Sequence, residues 1–213
     1  MNTIPLLDDG SANRRKAFTL IELMVVVAVI GILVALLVPA VTSMRISSFQ
    51  NQCLSNLHSV GTAISMYVND NDGTLPGPTY WSQSSVPNDS RFLAGYLAPY
   101  LGFPNISFQP GKLSKVSSFR CPACTWSEFS YAACQQIKSA PFVNKSPWGD
   151  LSASPATAPM KMIALTSSGT PLSKQWALCD RYGTNLPSGA ASAGPGRHRQ
   201  VSVLFFDWHV ESQ

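Results

Sequence analysis

The sequence predicts an α+β fold: a long N-terminal helix, half transmembrane and half packed, on a C-terminal antiparallel β-sheet with long irregular loops. Three observations predict it. Between Lys16 and Arg45 the only charged side chain is Glu22, and from Leu23 the chain is continuously apolar enough to form a spanning helix. Such a helix crosses a bilayer core of about 30 Å. Leu54, Leu57, Val60, Ile64, Tyr67 and Val68 then recur at spacings of three and four, one face of a helix. Finally, Met160–Leu165, Gln175–Cys179 and Val201–Phe206 are short apolar runs bounded by turn residues, which read as strands.

The chain has 213 residues, enough for one domain and an appendage. Charged residues make up 12% and apolar ones 45%, so a compact core is expected. Fifteen basic against eleven acidic residues leave a net charge of +4, too weak to imply nucleic acid as a partner. Residues 1–17 read as a polar leader, 18–41 as a transmembrane half-helix and 42–213 as an extracytoplasmic domain. The leader ends in Arg14-Arg15-Lys16, cations that hold the N-terminus in the cytoplasm. A secretory signal peptide cut near Val38-Pro39-Ala40 is the competing reading. Its apolar run would be unusually long.

Glu22 needs a reason. A carboxylate at that depth costs roughly 2.5–3.5 kcal/mol, and no cation lies within the apolar run. Cleavage between Ala17 and Phe18 would create an amine on Phe18 as its partner. The pair could form within one helix or between neighbouring helices, where it would set their stagger. Otherwise Glu22 is an interfacial residue at the end of an ordinary anchor.

Ala17-Phe18-Thr19-Leu20-Ile21-Glu22 resembles the processing motif of type IV pilins and type II secretion pseudopilins, with Ala17 where Gly is usual. Pro39 falls at the twenty-second position after the cut, where that family also tends to carry proline. The resemblance covers about the first fifth of the chain. It implies a pilin-like fold, cleavage after Ala17 by a prepilin peptidase and methylation of the Phe18 amine. It further implies partners: other pilin subunits and an inner-membrane assembly platform. Glu22 and Pro39 are then assembly residues. The implied location is the inner membrane, single-pass, then a periplasmic or surface filament.

Pro39 removes a backbone donor but does not end the helical pattern. A helix from Phe18 to about Asn69 would be about 78 Å long, with its second half laid on the domain. Asn69-Asp70-Asn71-Asp72-Gly73 stops it as a turn. A calcium site there is the other reading, although Val68 stands where a calcium loop would need an acid. Residues 74–160 read as irregular loops pinned by Tyr80, Trp81, Phe92, Tyr96, Tyr100, Phe103 and Phe108, with a short helix near Ser90–Leu101. These aromatics suit a core better than a sugar-binding row.

Cys121, Cys124, Cys134 and Cys179 could form at least one disulfide, which an extracytoplasmic location favours. Zinc is the alternative: Cys121 and Cys124 have ligand spacing, but no second close pair follows. Cys53 lies in the helix, and its partner stays open. The stretch from Arg197 to Val210 resembles the C-terminal signature of a group of pseudopilin-like proteins, with Trp208 where Gly is usual. Asp180-Arg181 and Ser130-Tyr131 fit that group loosely. His198, Asp207 and His209 could make a metal or acid–base cluster, or Asp207 could serve a hairpin turn. No nucleophile elbow, phosphate loop or zinc-protease motif occurs, so neither an enzyme nor a cofactor is expected. Two functions remain: a structural filament subunit, or a membrane-anchored module binding sugar or protein.

Overall fold

A computed structural model describes residues 18–87, 89–103, 115–123, 129–137, 144–181, 187 and 200–213. The elements follow as α1 (Leu20–Asp70), β1 (Ser82–Ser84), α2 (Leu93–Leu97), β2 (Phe129–Ala133), α3 (Met162–Thr166), β3 (Trp176–Asp180), β4 (Ser202–Phe205) and β5 (Val210–Ser212), with three single turns of 3-10 helix between them. The chain divides after Ser43 into two compact units.

In the first unit, α1 is apolar on every side. Leu23, Val26, Ile30, Leu33 and Leu37 are all exposed. A helix hydrophobic all round is one that lipid or other helices cover. This stretch of α1 is long and apolar enough to span a membrane. The helix continues across Pro39. Thr42 Oγ1 donates to the Val38 carbonyl at 2.9 Å.

In the second unit, α1 buries one stripe: Cys53, Leu57, Val60, Gly61, Ala63 and Ile64. The stripe lies on a five-stranded antiparallel meander in the order β1-β2-β3-β4-β5. At Gly61 the helix lies close to the sheet, since a Cβ there would sit 2.9 Å from Leu204 Cδ1 on β4. Register sorts the strand residues by face. Ala133 pairs with Leu178, and Leu178 with Leu204. They join Leu57, Val60, Ala63 and Ile64 of α1, with Tyr131, Trp148 and Phe206, in the main core. Ala132, Cys179, Val203 and Phe205 fill the opposite face under Trp81 and Trp176. Two buried faces explain why β3 and β4 read as unbroken apolar runs rather than alternating ones.

The end of α1 has a defined cap. Asp72 takes a left-handed φ of 52° and Gly73 one of 76°. The Gly73 N–H donates to the Val68 carbonyl at 2.9 Å, the six-to-one bond of a Schellman turn.

Two expectations need correction, and one is met. Met160–Leu165 is not a strand. Lys161 makes only an isolated bridge to Thr74, and α3 starts at Met162. Within α3 only Leu165 is buried, while Ile163 faces outward. A six-residue apolar run suits either element, and here it has no strand partner beyond the bridge. Residues 74–160, expected as loops, contribute β1 and β2. The short helix expected near Ser90–Leu101 is α2, followed by one 3-10 turn at Pro99–Leu101.

Candidate functional site

The site of interest is the N-terminal end of α1. Thr19 and Glu22 form a reciprocal capping box. The Thr19 N–H donates to Glu22 Oε2 at 2.9 Å, and the Glu22 N–H donates to Thr19 Oγ1 at 3.3 Å. Thr19 Oγ1–H also donates to Oε2, at 2.8 Å. The carboxylate therefore satisfies helix-end donors that would otherwise lack partners. It also sits beside the positive end of the helix dipole. The sequence reading missed this role, although the Thr-x-x-Glu spacing signals it. Phe18 is 85% exposed. Ala17 and the basic leader lie outside the described residues.

What this end of the helix offers is one carboxylate on an otherwise uncharged, outward-facing apolar surface. That surface is suited to other apolar surfaces, and the carboxylate to a cation brought close to it.

The other predicted residues fall elsewhere. Asp207 belongs to the β4–β5 hairpin. The Phe205 N–H donates to the His209 carbonyl at 3.0 Å, and the Trp208 N–H to the Phe205 carbonyl at 3.0 Å. Trp208 has φ 70°, so a left-handed residue closes a three-residue loop where glycine is the usual choice. Asp207 Oδ1 accepts from the His209 N–H at 3.3 Å and contacts His209 Nδ1. The His209 ring stacks on Phe205 with centroids 4.4 Å apart. His198, the third member of that suggested cluster, lies outside the described residues.

At the turn after α1, Asp70 Oδ2 accepts from the Tyr100 hydroxyl at 3.0 Å. Tyr96 and Tyr100 both meet Tyr67 edge-on. Burial and the Asp70 carboxylate push the Tyr100 hydroxyl pKa up. Trp81 carries the Arg181 guanidinium over its ring at 4.7 Å. Of the aromatics expected as anchors, Tyr96, Tyr100 and Phe103 pack on the main core while half-buried. Phe108 lies outside the described residues.

Cys121, Cys134 and Cys179 are buried in different places. Cys134 joins the main core, Cys179 the opposite sheet face, and Cys121 a small cluster with Cys53, Ala123 and Phe49. Cys124 lies outside the described residues. Asp180 ends β3 on the α1 side. Its Oδ2 accepts from the Ser202 N–H at 2.8 Å, tying β3 to the start of β4. Burial pushes its carboxyl up to about 7, against the opposing pull of Ser202.

The prokaryotic N-terminal methylation motif matches residues 12–38. The chain is similar to type II secretion system core protein G of Aeromonas hydrophila, with 27% identity over 116 residues, 50% of this chain and 81% of that protein. It is similar to the ComG operon protein 3 homolog of Bacillus licheniformis, with 32% identity over 108 residues, 51% of this chain and 96% of that protein. Type IV major pilin protein PilA of Myxococcus xanthus shares 41% identity over 59 residues, 28% of this chain and 27% of that protein. No solved structure matches the chain.

Proposed function

This chain belongs to the family of type IV pilins and type II secretion pseudopilins, and from that premise we propose that it is a processed subunit of a pilus-like or pseudopilus filament. A prepilin peptidase cuts after Ala17, and the new Phe18 amine is methylated. The single pass through the inner membrane keeps the leader cytoplasmic and the head extracytoplasmic. Assembly then moves the apolar half of α1 from lipid into contact with the same half of neighbouring subunits. With no gain in apolar burial between those two surroundings, close packing and the ion pair between Glu22 and a neighbour's Phe18 amine give the assembly its register. Pro39 supplies a break in the backbone hydrogen-bond ladder where the helix leaves the apolar core.

The observation that carries this reading is the lone carboxylate of Glu22 on a helix surface otherwise exposed and apolar. The match over residues 12–38, which contains the whole Ala17–Glu22 motif, supports it. The relatives are pilin and secretion subunits, in keeping with a structural role rather than a catalytic one. Mass spectrometry of the N-terminus from purified membranes tests the proposal. A methylated Phe18 is the expected first residue. A chain that retains residues 1–17 in cells with an active prepilin peptidase would leave only a tethered domain.

A further inference from the structure

We propose that Cys53 and Cys121 form a disulfide that fastens the second half of α1 to the loop before β2. The Sγ atoms lie 3.1 Å apart, across a sequence separation of 68 residues. Both residues are buried, at 0% and 3% exposure. The backbone around them is held in place independently: one turn along α1, Asn56 Nδ2 donates to the Arg120 carbonyl at 3.0 Å. Phe49 and Ala123 close the site with apolar contacts. The cross-link therefore needs no rearrangement of the helix or the loop.

A metal is the rival occupant. Asp180 offers a carboxylate oxygen, and the three donor atoms lie within 4.8 Å of one another. Tetrahedral zinc, with Zn–S bonds of about 2.3 Å, holds two thiolates about 3.8 Å apart. The observed 3.1 Å is closer than that. A buried Asp180 carboxylate also disfavours thiolates beside it. The Cys121 sulfur first, then burial and the Asp180 charge, push the Cys53 thiol up.

The chemistry is thiol–disulfide exchange with a disulfide-bonded donor outside the cytoplasm. The Cys121 thiolate attacks one donor sulfur, and the other leaves as a thiolate and takes up a proton. The Cys53 thiolate then attacks the mixed disulfide at Cys121 Sγ and releases the second donor thiol. Two protein thiols are oxidised, and the donor disulfide is reduced to a dithiol. Because burial and the neighbouring Cys121 sulfur suppress the Cys53 thiolate, exchange precedes the docking of α1 on the sheet. Once formed, the bond is shielded from reductant.

The inference rests on the extracytoplasmic placement of the head but not on polymerisation. The test is a non-reducing peptide map of full-length mature protein, purified from membranes after trapping thiols with a maleimide. A peptide joining Cys53 to Cys121 is the expected result. Maleimide on both residues, a Cys121–Cys124 bond, or zinc retained by the protein overturns the proposal. Protease accessibility in spheroplasts reports the head's location separately. A cytoplasmic head therefore overturns the placement, and a reduced pair in an accessible head overturns the bond. Cys53→Ala and Cys121→Ala should each lower Tm by on the order of 10 °C, because a long loop is released. The double variant should lose little more. Additive losses contradict a shared bond.

Discussion

Replacing Glu22 separates its two roles. Within its own chain the carboxylate caps α1, with Oε2 accepting from the Thr19 N–H and hydroxyl at 2.9 and 2.8 Å. A cap of this kind stabilises by about 1 kcal/mol. In a filament it would also neutralise a neighbour's Phe18 amine. Leaving that amine buried and unpaired costs on the order of 3–5 kcal/mol, roughly a hundredfold to several thousandfold in the equilibrium for adding a subunit. Glu22→Gln keeps an oxygen that can cap but carries no charge, whereas Glu22→Ala loses both. Filament yield should therefore collapse in both variants, with Ala only about fivefold worse in subunit affinity than Gln. The assay is electron microscopy and immunoblotting of sheared filaments. Intact-mass confirmation of cleavage after Ala17 ensures that processing is not the cause. A Gln variant that polymerises like the native chain would refute the ion pair and leave Glu22 as a helix cap.

Two further predictions concern the head. Trp208 sits at φ 70°, a conformation that costs a side chain about 1–2 kcal/mol. Trp208→Gly and Trp208→Ala both lose the indole, but only Gly relieves the backbone. Thermal melts should place Gly about 2–8 °C above Ala, and an Ala variant of equal or greater stability contradicts this account of the turn. Asp180, buried with its carboxyl pushed up to about 7, folds more favourably when protonated. Its contribution is complete below the unfolded value of about 4 and is lost as pH rises through about 7. Tyr131 and Cys179 are its titratable neighbours, joined by Cys53 and Cys121 only where that pair is reduced. Relative to the native chain, Asp180→Asn should gain stability from pH 4 to 8, on the order of 3–4 kcal/mol. A pH-independent difference in denaturant unfolding would show that Asp180 does not titrate in that window.

The sequence announces α1 because a helix so apolar and so long has few alternatives. Its end was equally legible, since Asp72 and Gly73 suit left-handed backbone. β3 and β4 were visible as apolar runs because both sheet faces are covered. β1, in contrast, is Ser-Gln-Ser, whose residues carry no apolar signal; cross-strand pairing with β2 makes it a strand. α3 was misread because a run of six residues, five of them apolar, does not reveal its period. At the candidate site, Glu22 stood out as a charge, while its cap with Thr19 needed attention to spacing. Cys53 had a signal too: it precedes Leu57, Val60 and Ile64 at spacings of four, three and four, which places it on the buried stripe. Only folding brings Cys121 to it.

The two rims of the sheet bear on how such a protein avoids sticking to itself in the wrong way. β1 and β5 are each three residues long, and the pairing of β1 shifts register between Gln83 and Ser84. Short, irregular borders are poor templates for strand addition. In the proposed filament, crowded heads would thus gain little from cross-β stacking, which would leave growth to the greasy rods.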